Sequence, residues 1–124
     1  MRLLLDTHVL VWFLGGERLS ERLAGTIRAR ENEVIVSAAS VWEAEIKAAA
    51  GRLELTGDLL RGVKDSDLTE LPISFEHGRK AARLPRHHGD PFDRVLIAQA
   101  QLEGLTIATR DAAFTAYDVQ LLAA

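Results

Sequence analysis

Short apolar runs alternate with helix-length segments along the whole chain, and no other feature restricts the fold as much. Arg2 to Leu5, Val34-Ile35-Val36, Leu68 to Ile73, Leu105 to Ala108 and Val119 to Leu122 read as strands. A continuous apolar run closed by a polar residue suits a parallel strand buried on both faces. Between these runs lie segments with helix signals. Asp6 or Thr7 caps Val9 to Leu14, and Gly15-Gly16 stops it. Ser20 opens an amphipathic stretch to Arg30, and Ala38 to Ala50 ends at Gly51. A helix is also expected over 57–65. Ser74 caps Phe75 to Leu84, Pro91 starts a helix that stops at Gly104, and Asp111 caps Ala112 to Tyr117. Strand, helix and strand in this order predict right-handed crossovers, and so a three-layer α/β/α fold around a parallel sheet of about five strands. Pro72 puts the third strand near an edge.

With 124 residues, 48% of them hydrophobic, the chain is expected to form one domain over 1–124. It has no cysteine, which excludes disulfides, thiolate catalysis and cysteine–zinc sites. The net charge of -3 argues against nucleic-acid binding by bulk charge, but not against a local basic surface. Such a surface is encoded: Arg79, Lys80, Arg83, Arg86 and Arg94 stand close together, opposed by Asp90 and Asp93 alone between Arg79 and Arg94. No apolar run reaches the length of a membrane span, and Asp6 breaks the apolar start too early for a signal peptide. A cytoplasmic protein is expected.

The chemistry concentrates at strand ends. Asp6 closes the first strand, where open α/β sheets place their sites. Asp93 leads straight into the most apolar helix. Asp90 lies three residues earlier and suits an N-cap. Glu43 and Lys47 are spaced i to i+4, which a surface ion pair explains, while Trp42, Ile46 and Ala49 form a separate stripe. Asp111 follows the fourth strand and also fits a cap. Together Asp6, Glu43, Asp93 and Asp111 place several carboxylates along one edge of the sheet. Like charges held together raise one another's pKa or recruit a cation, and oxygen donors favour a hard one, Mg²⁺ or Mn²⁺. His87-His88 lacks zinc-ligand spacing. There is no Gly-x-Ser-x-Gly elbow and no phosphate-binding Gly-x-x-x-x-Gly-Lys loop.

Leu5-Asp6-Thr7-His8, Ser40-Val41-Trp42-Glu43 with Ile46-Lys47, Asp90-Pro91-Phe92-Asp93-Arg94 with Ile97-Ala98-Gln99-Ala100, and Thr109-Arg110-Asp111 recur in order over essentially the whole chain. In this arrangement the chain resembles the PIN-domain ribonucleases, in particular the VapC-type toxins of bacterial and archaeal toxin–antitoxin pairs. It departs from the pattern at Ala44-Glu45 and at Gly89. The resemblance implies a metal-dependent endoribonuclease with Asp6, Glu43, Asp93 and Asp111 as acidic metal ligands. Asp90, Thr7 and Thr109 would support them or cap helices. Arg86, Arg94 and Arg110 are candidate contacts to RNA phosphates, although Arg94 and Arg110 serve equally well in structural ion pairs. The resemblance also implies a homodimer and a small antitoxin whose tail crosses the acids, in a heterotetramer or larger assembly. Trp12, Phe13 and Trp42 are candidate antitoxin contacts. Trp12 and Phe13 are neighbours on one short helix and cannot both face the core.

Two other functions compete. A receiver-type signalling domain has similar length and an acidic pocket, but needs paired acids after the first strand and a late lysine. Asp6 has no acidic neighbour, and no lysine follows Lys80. A catalytically inactive PIN fold acting only through partners would not need all four acids. Neither the target RNA nor the number of metal ions is encoded legibly.

Overall fold

The structure, a computed structural model, describes residues 1–16 and 19–124. Five strands pair in the order β3-β2-β1-β4-β5: β1 (Arg2–Leu5), β2 (Glu33–Ser37), β3 (Thr69–Leu71), β4 (Thr106–Thr109) and β5 (Gln120–Ala123). Every pairing is parallel. The helices are α1 (Thr7–Gly15), α2 (Glu21–Arg28), α3 (Ala38–Ala49), α4 (Leu59–Asp65), α5 (Phe75–Arg83) and α6 (Pro91–Glu103), with a 3₁₀ turn at Ala112–Ala116. The expected three-layer architecture is therefore present. β3 lies at the sheet edge, as Pro72 required.

The two faces of the sheet are sorted residue by residue. Leu3, Leu5, Val34, Val36 and Ala108 pack into one core with Val9 and Leu10 of α1, Leu23 and Ile27 of α2, and Leu59 of α4. Leu4, Ile35 and Ile107 point the other way, onto Leu96, Ile97 and Ala100 of α6 and onto Phe114. Side chains that alternate along a strand produce this division. Leu3, Leu4 and Leu5 are fully buried, consistent with β1 in the middle of the sheet.

α3 breaks the layering. Its Ala39 belongs to the second core and its Ala44 to the first, and the helix packs on both α1 and α6. It thus bridges the two layers at the carboxyl end of the strands. The stripe of Trp42 and Ile46 faces solvent, with 60% and 45% exposure, while Glu43 is buried. The ion pair with Lys47 forms as spaced, but its carboxylate is inside, not on the surface.

Helix starts follow the sequence signals. Asp6, Ser20, Ser37, Asp58, Ser74 and Asp90 each accept a first-turn amide. The connection from α5 to α6 is held by Arg94. Its guanidinium donates to the carbonyls of Ala81, Leu84, Pro85 and His88 and to the Tyr117 hydroxyl, over 2.8–3.3 Å. The Tyr117 hydroxyl in turn donates to Pro85 O and accepts from His88 N. One arginine thereby satisfies backbone groups that a loop would otherwise leave to water. Replacing Arg94 by Met keeps the apolar stem and removes the donors. We expect urea unfolding to show a loss of about 2–4 kcal/mol; a loss below about 1 kcal/mol would mean that these carbonyls are solvated without it.

Candidate metal centre

Parallel strands on either side of β1 leave the sheet in opposite directions, and the crevice at such a switch point is where α/β sheets bind ligands. Leu5 pairs with Ala108, so Asp6 and Thr109 follow side by side at that point. Asp6 is buried and caps α1: its Oδ1 accepts from His8 N at 2.7 Å. Its Oδ2 accepts the Thr109 hydroxyl at 2.5 Å. Glu43 descends from α3, also buried. Its Oε1 accepts from Thr7 Oγ1 at 2.6 Å, and its Oε2 takes the Lys47 ammonium at 2.7 Å. Asp93 stands on the first turn of α6 and meets His88 Nε2 at 2.8 Å. Asp90 Oδ1 caps the same turn through Phe92 N and Asp93 N.

The three elements converge electrostatically. The Asp93 carboxyl is raised from 3.8 to about 6, chiefly by burial, then by the charges of Asp90, Asp6 and Glu43, with the His88 hydrogen bond pulling the other way. Asp6 and Glu43 add their charge to Asp93, but among the described residues the group whose donor atoms lie close enough to hold one ion is His88, Asp90 and Asp93. Asp111 is not among the charges that raise Asp93. It is exposed and caps the 3₁₀ turn, and it reaches the site through backbone: Asp111 N donates to Thr109 Oγ1 at 3.0 Å. Thr7 and Thr109 hold the carboxylates, and Asp90 serves both as cap and as neighbouring charge. Glu45 is exposed and does not compete with Glu43.

His88 was missed. The paired-histidine spacing argued against zinc, yet His88, Asp90 and Asp93 each offer a donor atom, all within 4.8 Å of one another. A loop ligand of this kind leaves no periodic signal; only the fold of 84–90 reveals it. This donor set, oxygen-rich with one imidazole, fits a divalent cation such as Mg²⁺ or Mn²⁺. Ser40, one turn before Glu43 on α3, adds a buried hydroxyl without a partner among the described residues. A cavity of about 630 Å³ lined by Phe13, Ile27, Arg28 and Asp67 lies elsewhere and contains none of Asp6, Glu43, Asp90, Asp93 and Asp111.

The remaining candidates divide. Arg94 is consumed by the loop described above. Arg110 donates to Ala124 O and lies over the Trp12 ring at 4.5 Å. Arg86 is exposed. Trp12 and Phe13 are both half-buried against the first core, and Arg28 covers Phe13 at 5.6 Å. Of the three aromatic candidates Trp42 is the exposed one, and it meets Phe92 edge to face at 5.2 Å.

The profile of the PIN domain family matches residues 3–120. The chain belongs to the PIN domain family. Solved structures agree on the fold. VapBC2 from Rickettsia felis, bound to a DNA fragment from its promoter, superposes with a TM-score of 0.74 at 15% identity, covering 99% of this chain and 98% of that one. FitAcB from Neisseria gonorrhoeae gives 0.69 at 25% identity, over 97% and 96%. VapBC-5 from Mycobacterium tuberculosis, described as a toxin–antitoxin family member, gives 0.61 at 21%, over 98% and 96%. Curated proteins gave no significant sequence match. Among the described residues of this PIN domain, no helix is long and apolar enough to cross a membrane.

A raised carboxyl makes the fold pH-dependent. The folded state binds the Asp93 proton more tightly than the unfolded chain does, so stability falls as pH rises from about 4 to about 6. The full effect is about 3 kcal/mol. For metal-free protein we expect Asp93→Asn to flatten this decline and to be the more stable protein at neutral pH. Thermal melts of both proteins in EDTA across this range test the assignment, and parallel declines would refute it.

Proposed function

We propose that this PIN domain is a metal-dependent endoribonuclease and the toxin of a toxin–antitoxin pair. The observation that supports the reading is the acidic centre at the strand ends: His88, Asp90 and Asp93 offer donor atoms within 4.8 Å of one another, and Asp6 and Glu43 add their charge to an Asp93 carboxyl raised chiefly by burial. Family membership supports a nuclease, and the toxin–antitoxin complexes among its structural neighbours support the pairing. Asp6, Glu43 and Asp93 would hold Mg²⁺ or Mn²⁺, with His88 and Asp90 beside them. When bound, the cation supplies a water of lowered pKa and neutralises charge on the phosphoryl oxygens.

The protein's own part is positioning. Thr109 fixes Asp6, and the Asp111 amide fixes Thr109. Thr7 and Lys47 hold both oxygens of Glu43, so its carboxylate is oriented without help from solvent. His88 Nε2 meets Asp93 Oδ2 and fixes the orientation of that carboxyl. In this reading Asp111 acts through Thr109 and not as a direct ligand.

Purified protein should cut RNA in Mg²⁺ or Mn²⁺ and stop in EDTA. Asp6→Asn and Asp93→Asn should each slow cleavage at least about a hundredfold, the loss of several kcal/mol of charge stabilisation. Asp111→Asn should keep activity within about tenfold, because Asn caps nearly as well as Asp. Cleavage that survives chelation would end this mechanism.

The antitoxin would cover the acids, placing an apolar side chain on the protein and a basic group over Asp6 and Asp93. Trp42 is the better anchor: it is exposed beside the buried Glu43, whereas Trp12 and Phe13 already carry arginines. A homodimer within a heterotetramer or larger complex is the assembly we infer. Trp42→Ala should weaken antitoxin binding about thirty-fold, the effect of a lost 2 kcal/mol anchor. In a titration, unchanged affinity with an intact circular dichroism spectrum would place the contact elsewhere.

A further inference from the structure

An acidic centre repels the strand that it is meant to cut. Asp6, Glu43, Asp90 and Asp93 gather in a chain whose net charge is already -3. The substrate's phosphates must therefore be neutralised by cations outside the cluster. The arginines nearest the acids in sequence do not offer themselves: Arg94 is spent on five loop acceptors, and Arg110 donates to the chain's last carbonyl and covers Trp12.

Cations of a different kind line a groove of about 600 Å³ between α5 and α6. Arg79, Lys80 and Arg83 line it together with Leu84, Pro85 and Leu102, with Glu76 as its one acid. Among the described residues, none of these three cations has a hydrogen bond or an ion pair. Arg79 and Arg83 are one helical turn apart, so their charges fall in a row along the groove. From Arg83 the chain passes through Pro85 and the exposed Arg86 to His88 and Asp90, in a connection that Arg94 and Tyr117 hold in place. Along α6, the groove residue Leu102 is about 14 Å from Asp93, within reach of a few nucleotides of one strand.

Resting on the nuclease reading, we propose that this groove is a phosphate-backbone track. Arg79, Lys80 and Arg83 bind single-stranded RNA flanking the scissile bond, and Arg86 guides the strand toward the acids. The contacts are to phosphates, so the track adds affinity without base preference. An acidic peptide could satisfy the same charges. The nuclease reading favours RNA, because a nucleic-acid substrate carries the row of phosphates that these unpaired cations match.

The test uses the full chain in EDTA, so that binding is read without cleavage. A short fluorescein-labelled single-stranded RNA of mixed sequence is titrated by anisotropy across a salt series. Against wild type, the triple variant Arg79→Gln, Lys80→Gln, Arg83→Gln should flatten the log–log salt slope by about 2, since each contact to a single strand contributes about 0.7. Each single variant should flatten it by about 0.7, which keeps the test open should the triple variant not fold. Equal slopes in wild type and variants overturn the proposal, as does an absence of RNA binding by the wild type. A labelled poly-glutamate peptide is titrated in parallel. Peptide binding that the variants abolish, with RNA binding unchanged, overturns it in favour of a protein ligand. Cleavage in Mn²⁺ separates the two readings. If wild type cuts RNA and the variants match it in slope and in rate, the track is wrong and the nuclease stands. If RNA binds with the expected slopes but no divalent ion supports cutting, the nuclease is wrong and the track stands.

Discussion

Thr109 donates a hydroxyl hydrogen bond to Asp6 where β1 and β4 leave the sheet, and the rest of the centre depends on that bond being available. It exists because Leu5 pairs with Ala108 and the Asp6 amide bonds to Ala108 O at 3.1 Å. A slip of one residue between these strands would turn both side chains to the wrong face. The same logic governs the other acids. Glu43 is held by a threonine from α1 and a lysine from its own helix, and Asp93 by a histidine from the preceding loop. Each carboxylate carries a donor of its own, so repulsion among them is balanced locally. Isolated segments cannot assemble such a site, because the partners are far apart in sequence.

Much of this was legible in the chain. The strand runs, the capping residues Asp6, Ser74 and Asp90, and the edge placement of β3 follow from local chemistry that tertiary packing did not overrule. That the charges of Asp6 and Glu43 reach Asp93 was legible only through the alternation that sets the sheet and through the family pattern. The orientation of α3 was not legible. Its apolar stripe looks like the packing face, but the helix bridges two layers at the end of the sheet, and there the acid is enclosed while Trp42 is left outside. Arg94 misled in the same way. It adjoins Asp93 in sequence, yet consecutive helix positions diverge, and its guanidinium turns to the loop instead. Trp12 and Phe13 were expected to compete for the core. Both are half-buried, each stacked against an arginine, a compromise that periodicity does not encode.

The division of cations between fold and function gives the centre its polarity. Lys47 already neutralises Glu43 at 2.7 Å from a partly buried position, so the α3 side of the cluster is nearly balanced without any ligand. On the other side stand Asp6, whose donors are a hydroxyl and backbone amides, and Asp93, which shares His88. Hydroxyls and amides stabilise a carboxylate but do not cancel its charge. The negative charge therefore stays least cancelled on the Asp6 and Asp93 side, where burial first, and the neighbouring carboxylates after it, raise the Asp93 carboxyl to about 6. In the proposed reaction an incoming cation gains most by entering from that side, whether it is a metal ion or a basic group from a partner. Glu43 would help to hold such a cation through carboxylate oxygens that Thr7 and Lys47 now occupy. Lys47 would then compete with the cation for the same carboxylate that it supports in the ion-free fold.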